Sequence, residues 1–380
     1  MDAGLLWVDK HRPNSLDKLD YHPDLTAHLK SLCASGDFPH MLVYGPSGAG
    51  KKTRIACILR ELFGAGASKL KVDPRVFETP SKRKLEIQVT SSNYHIEINP
   101  SDVGNQDRIV IQDLLKEVAQ TQQLDASAQK RFKVVVIHEA DLLTRDAQAG
   151  LRRTMEKYMG NLRIIMCCNT TSNIIGPIQS RCLLVRVGAP TEAAMVEVMQ
   201  RVVKKEHCGP LPDSFAKRLA QDSGRNLRRA LLMLETAKVQ RQPFAEDQAV
   251  PRMDWEDFIK HSAVNILKSQ NADTLLTVRG NLYELINHCI DPPTILKTLA
   301  KELVARIEKD EIKMKVIQEA AFYEHRLRIG NKAIFHLEAF VAKVMHIYKK
   351  YKVRFGVPLL GKGGTTGETG TGQRKNEGEE

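Results

Sequence analysis

The chain has 380 residues, enough for two or three domains of roughly 100–200 residues each, and its 57 Lys and Arg against 45 Asp and Glu leave a formal charge of +12. That surplus favours a polyanionic partner such as DNA, RNA or an anionic membrane face. With 42% hydrophobic and 27% charged residues the chain can bury real cores, which excludes a disordered or collagen-like protein.

No stretch approaches the roughly 18 uninterrupted apolar residues that a bilayer requires, so no membrane partner is expected. The start, Met1 to Lys10, is too short and mixed for a signal peptide. The seven cysteines form an odd set with no CxxC pair, and several sit inside apolar runs. Neither a disulfide framework nor a cysteine-based zinc module fits, which predicts a reduced, cytosolic or nuclear protein.

From 1 to 187 short apolar runs alternate with helical patterns, predicting an α/β domain with a mostly parallel sheet. Met41–Tyr44, Val134–Ile137 and Ile164–Cys168 are its expected buried strands. The segment 70–99 differs: Lys82, Arg83 and Lys84 separate strand-like runs at Val76–Glu78 and Leu85–Val89, which predicts a hairpin-like insertion. From 188 to 250 the strands stop and short helical patterns follow Pro190, as in a small helical lid. Pro243 and Pro251 suit a linker. From 253 to 355 the pattern is wholly helical, with Leu275, Leu282 and Leu285, then Ile295, Leu299 and Leu303, then Ile334, Leu337, Val341 and Val344 at helical spacing. Pro292 and Pro293 suit a helix start and Gly330 a stop. Stripes of this kind are core. The last stretch, 356–380, holds 8 of the 24 glycines and no packing pattern, so a flexible tail is expected there.

Gly45-Pro46-Ser47-Gly48-Ala49-Gly50-Lys51 follows a buried strand and opens a helical pattern, the context of a phosphate-binding loop. Glycines let backbone N–H groups converge on phosphate oxygens, the helix N-terminus adds positive potential, and Lys51 reaches the outer phosphates. A Ser or Thr should follow that lysine to hold magnesium, but Lys52 stands there. Thr53 is no substitute, because one helical step swings a side chain by roughly 100°. The acidic strand shows a matching change. In Val134-Val135-Val136-Ile137-His138-Glu139, His138 occupies the place of the magnesium-holding Asp, and imidazole is a poor ligand for so hard a cation. Glu139 keeps the position that orients an attacking water. These residues predict a chain that binds nucleotide, hydrolyses it poorly and has no metal site of its own.

With their surroundings, these motifs resemble the AAA+ clamp-loader family, and within it the small subunits of eukaryotic replication factor C. The resemblance runs from about residue 5 to about 350. It includes Leu6-Trp7-Val8-Asp9-Lys10-His11-Arg12-Pro13, then Asn99-Pro100-Ser101-Asp102, Leu151-Arg152-Arg153-Thr154-Met155-Glu156, Cys168-Asn169, Ser180-Arg181-Cys182 and Asn226-Leu227-Arg228-Arg229-Ala230-Leu231. Gly48-Ala49-Gly50-Lys51-Lys52-Thr53, Thr79-Pro80-Ser81-Lys82, Tyr323-Glu324-His325-Arg326 and His336-Leu337-Glu338-Ala339-Phe340 look like one particular small subunit. The resemblance implies a RecA-like AAA+ domain, a helical lid and an all-α collar, with five different subunits in a ring. Such a heteropentamer, loaded with ATP, opens a sliding clamp (proliferating cell nuclear antigen) and places it on primer-template DNA in the nucleus, in replication and repair.

The resemblance also implies roles. Val8, Arg12 and Pro13 lie near the adenine; Gly45 to Thr53 hold the phosphates of ATP or ADP; Asn169 is a first sensor and Arg228 a second. Arg181 is an arginine finger offered in trans to a neighbour. Arg152, Arg153 and Lys157 on one helix, and Arg108 on the preceding one, are candidates for the DNA backbone; a solvated charged face is the plainer alternative. Ile109, Ile111, Leu114 and Leu115 can form an apolar edge for the clamp, though core packing suits them better. A self-sufficient AAA+ DNA motor of helicase type is the competing possibility, and a pure scaffold is a third. The first needs both magnesium ligands, and the second needs none of Arg181, Asn169 and Arg228.

Overall fold

The computed structural model describes residues 4–35, 38–78, 84–100, 104, 106–120, 132–330 and 332–355. The tip of the expected insertion (Thr79 to Arg83), Ser101, Asp102 and the 356–380 tail lie outside the described residues. The chain divides into two compact units, Met1–Pro251 and Arg252–Glu380.

The first unit is built on seven strands: β1 (Met41–Tyr44), β2 (Lys71–Glu78), β3 (Lys84–Ser91), β4 (His95–Ile98), β5 (Lys133–Ile137), β6 (Leu162–Cys168) and β7 (Leu183–Arg186). They lie in the order β2-β3-β4-β5-β6-β1-β7. Pairing is parallel from β4 through to β7 and antiparallel at the β2–β3–β4 edge. The central strands read as unbroken apolar runs because both faces are covered. Met41, Val43, Val134 and Val136 face one core with Leu29, Ile55 and Leu59. Those last three come from α2 (Pro23–Ala34) and α3 (Lys51–Phe63). The alternate residues Leu42, Val135 and Ile137 face a second core with Val110, Leu114 and Leu151. These belong to α4 (Asp107–Gln120) and α5 (Arg145–Lys157). A period of two thus assigns each strand residue to one core or the other.

One boundary changes here. The hairpin is β2 with β3, in register from Lys71 opposite Ser91 to Glu78 opposite Lys84. The insertion stops short of 99, however, because β4 pairs in parallel with β5 and belongs to the central sheet. Its His-Ile-Glu-Ile pattern hid it, since His95 and Glu97 are polar yet turned inward to each other. On α4 the preferred core reading holds: Ile111, Leu114 and Leu115 are fully buried, and Ile109 is half-buried.

After β7 come α6's successors in the lid, once the short α6 (Gly176–Gln179) before β7 is placed: α7 (Glu192–Lys205), α8 (Asp213–Asp222) and α9 (Leu227–Gln240). Thr191 and Asn226 cap α7 and α9, their side-chain oxygens accepting from the N–H of Ala194 and Arg229. Met195, Met199, Phe215, Leu219 and Leu234 form the lid core, and Trp7 from α1 (Trp7–Lys10) is buried among them. The Trp7 backbone N–H donates to Glu235 Oε2 at 3.1 Å, and Lys238 Nζ lies 5.0 Å from its ring centre. The N-terminal segment, assigned to the sheet domain from sequence, therefore shares the lid's core. Burying an indole outweighs its proximity in sequence to β1.

The second unit holds α10 (Asp254–Lys268), α11 (Ala272–Asn287), α12 (Pro292–Arg306), α13 (Asp310–Ile329) and α14 (Ala333–Phe355). Pro292 and Pro293 open α12, where a missing N–H costs nothing, and Gly330 ends α13. The Ile295, Leu299, Leu303 stripe meets Leu337, Val341 and Val344 in one core.

His40, just before β1, is buried, and its Nδ1 accepts the Ile164 N–H at 3.0 Å. Burial first, then the Arg163 charge, push its pKa down to about 4. The fold therefore holds His40 neutral, and the unfolded chain takes up the proton first as pH falls. Stability is fully present above about pH 6.5 and is lost between there and about pH 4. Replacing His40 by Asn keeps an acceptor for Ile164 and should flatten the pH dependence of the urea midpoint across that window. Parallel curves for variant and wild type would show that another group is responsible.

Candidate functional site

The loop 45–50 carries the chain from β1 into α3 with positive φ at Gly45, Gly48 and Gly50. A Cβ on Gly45 would run into the Val187 carbonyl oxygen, and one on Gly48 into the Asn226 amide. Only glycine lets the loop come this close to the end of β7 and the start of α9. Lys51, the first residue of α3, is buried. Its Nζ donates to Gly45 O at 2.7 Å, Pro46 O at 2.9 Å and Asn169 Oδ1 at 2.9 Å. Burial lowers its pKa, opposed by Cys167, Cys168 and Asp141. Three donors thus meet three neutral acceptors, over which ionised phosphate oxygens have the advantage of opposite charge.

A cleft of about 690 Å³ opens beside Lys51. Val8, Arg12, Pro13, Ser47, Gly48, Gly50, Lys51, Lys52, Thr53, Glu139, Asn169 and Arg228 line it. Its size and its facing of glycine N–H groups with basic side chains fit a nucleotide. Three expected contacts act from behind. Gly45 and Pro46 hold Lys51 through their carbonyls, and buried Ala49 accepts the Tyr21 hydroxyl at 2.8 Å.

Magnesium does not fit these residues. Lys52 is an exposed cation where a hydroxyl ligand belongs, and the Thr53 hydroxyl accepts from Arg12 Nε at 3.2 Å. His138 does not line the cleft. Its Nε2 lies 2.9 Å from Glu97 Oε2 on β4, while His95 Nε2 lies 3.4 Å from the other carboxylate oxygen. Burial pushes the Glu97 carboxyl up, but the hydrogen bonds from His138 and His95 outweigh it and hold its pKa at about 2. An ionised carboxylate only accepts, so Nε2 of His138 carries the proton. Asp141 is engaged too, its Oδ2 accepting the Asn169 and Thr170 N–H groups at 3.2 and 3.4 Å. Among the described residues no cluster of His, Cys, Asp and Glu is placed to hold a metal. Glu139 faces the cleft at the head of a tight turn, with φ of 52°.

The arginines divide between two places. Arg228, exposed on α9 two residues after its cap, faces the cleft. Arg181 does not: Nη1 donates to Pro177 O at 2.8 Å, and Nη2 pairs with Glu156 Oε1 on α5 at 2.7 Å. Arg153 and Lys157 are exposed along α5, Arg152 is half-buried, and Arg108 is exposed near the start of α4. The two helices are tied at their heads, where the Asp107 carboxylate accepts both the N–H and the hydroxyl of Thr144 at 2.7 and 2.8 Å.

Sequence reasoning missed the pairs that join the N-terminal segment to the lid. Lys10 and His11 both reach Glu206 Oε1, at 2.7 and 2.6 Å, and Asp20 pairs with Arg201. Partners about 180 to 195 residues apart leave no trace in local spacing.

Three families match parts of the chain: Replication factor C subunit 3, C-terminal domain, over 255–352; RCF1/5-like, AAA+ ATPase lid domain, over 197–239; and DNA polymerase III, delta subunit, over 21–191. Replication factor C subunit 3 of Mus musculus is 56% identical over 91% of this chain and 97% of its own length. Replication factor C subunit 5 of Neurospora crassa is 58% identical over 91% and 98%. The chain belongs to the replication factor C subunit 3/5 family. Its first unit accordingly has the RecA-like AAA+ fold with its lid, and its second the all-helical C-terminal domain. The Thermotoga maritima RuvB Holliday junction branch migration motor overlaps at a TM-score of 0.48 with 15% identity, over 71% of this chain and 85% of its own. That likeness is too distant to bear on function.

For this member of the subunit 3/5 family, nucleotide affinity should depend little on magnesium, because Lys51 and Lys52 supply the positive charge. Adenine nucleotide affinity of the full-length chain in excess EDTA should lie within about tenfold of that in excess Mg²⁺, a difference of about 1.4 kcal/mol. A larger loss without metal would mean that the cation binds through donors other than His138 and Thr53.

Proposed function

We propose that this chain is the subunit of a heteropentameric clamp loader that holds ATP or ADP with weak or no hydrolysis of its own and lends Arg181 to a neighbouring site. Its partners are then the other replication factor C subunits, the sliding clamp and primer-template DNA, in the nucleus. The observation that carries the proposal is the split of the site. Lys51, Asn169 and Arg228 gather at a nucleotide-sized cleft whose magnesium positions hold Lys52 and a His138 bonded to Glu97, while Arg181 stands outside that cleft. A finger aimed away from its own pocket is useful only to another subunit. A self-sufficient DNA motor is disfavoured by the same split, since it must both hold the metal and hydrolyse at its own site.

Two measurements on the assembled complex test the proposal. Arg181→Ala should leave assembly and this chain's nucleotide binding intact, and cut DNA- and clamp-stimulated hydrolysis at one site by about 10³-fold. Lys51→Ala should cost much less. Equal damage from the two variants would mean that turnover or obligatory binding at this chain's own site matters.

The basic face of α5 gives the second test. Arg153→Ala or Lys157→Ala should weaken DNA binding equally on all sequences and lower the salt slope by about 0.9 per lost phosphate contact. Unchanged affinity and slope would make that face merely solvated.

A further inference from the structure

Arg181 follows α6, and its backbone is fixed: its N–H donates to Ile178 O at 3.1 Å, and the next residue, Cys182, is buried. Its side chain is long and 40% exposed, yet it is held at two points, by Pro177 O and by Glu156 Oε1. Glu156 has closer neighbours in sequence. Arg152 and Arg153 lie four and three residues before it on the same helix, and among the described residues it pairs instead with Arg181, across from another element. Part of the reason is helical: a basic residue N-terminal to an acidic one at i, i+4 is the weaker order. The rest is placement, since Gln148 of α5 holds the segment that leads into α6, its amide donating to the Asn173 carbonyl and accepting the Ile175 N–H.

We propose that Glu156 is the positioning residue for Arg181, fixing the direction in which its guanidinium is presented to a phosphate on the neighbouring subunit. This rests on the reading of Arg181 as a finger used in trans. A guanidinium has five N–H donors. Among the described residues two are engaged, one by a carbonyl and one by a carboxylate, which leaves others for a phosphate oxygen. Held in this way, the arginine meets developing charge without first reorganising, which is the condition for electrostatic stabilisation of a transition state. The same helix carries Arg153 and Lys157, so the element that would track the DNA backbone also sets the finger.

The test uses the assembled complex with primed DNA and clamp, comparing Arg181→Ala, Glu156→Ala, Glu156→Gln and the double variant Arg181→Ala with Glu156→Ala. Glu156→Ala should lower stimulated kcat by about two- to fivefold, the range of an exposed ion pair that orients a catalytic group, with KM for ATP unchanged. Glu156→Gln should recover part of the loss, because its amide oxygen still accepts from Nη2. The double variant should be no slower than Arg181→Ala alone, since residues acting as a unit are not additive. If Arg181→Ala is damaging but Glu156→Ala is silent, faster than wild type, or additive with it, Glu156 does not position the finger. If Arg181→Ala is itself silent, the trans-finger reading fails and the proposal falls with it.

Discussion

The cleft is arranged about one buried ammonium. Among the described residues Lys51 has no carboxylate beside it at hydrogen-bond distance; two loop carbonyls and the Asn169 amide oxygen receive its protons. A charge held only by neutral acceptors is poorly compensated, and burial lowers its pKa accordingly. Phosphate oxygens would compensate it better, because they carry the opposite charge. The loop can hold the ammonium this way because Gly45 and Gly48 allow the backbone to close against β7 and the lid, and Asn169 meets it because β6 lies next to β1 in the sheet. Sheet order, loop glycines and Asn169 therefore converge on one atom.

The changes at the magnesium positions extend beyond the two residues that name them. His138 bonds to Glu97, Glu97 also meets His95, and Ser92 Oγ lies 2.7 Å from His95 Nδ1. Thr53 is likewise engaged, by Arg12 from the N-terminal segment. Restoring one acidic ligand would leave this surrounding arrangement in place. The carboxylate on β4 accounts for where the imidazole goes, since an ionised Glu97 gives the ring N–H a charged acceptor at 2.9 Å.

The fold was legible where its physics is local. Apolar runs at β1, β5 and β6 marked the central strands, and helical stripes from 253 to 355 marked the second core. The glycine turn from β1 into α3 was readable because it depends on fixed local spacing. What stayed hidden depends on distant partners. β4 was missed since inward-turned His95 and Glu97 read as polar, and Trp7 was assigned to the sheet domain although it packs with Met199 and Phe215 in the lid. The grip of Glu156 on Arg181 joins residues 25 positions apart in different elements, and no periodicity announces it. Burial of Leu114 and Leu115 was ambiguous in the sequence because a helix stripe looks the same facing a sheet or a partner.

The claim that this cleft takes a nucleotide without a metal is tested most directly by manganese, which is paramagnetic and takes magnesium's place on nucleotides. The full-length chain loaded with one equivalent of ADP is titrated with Mn²⁺ and followed by electron paramagnetic resonance. The account predicts that the nucleotide stays bound while the Mn²⁺ signal remains that of the ion free in solution. A protein-bound Mn²⁺ signal approaching one per chain, appearing only with nucleotide, would contradict it.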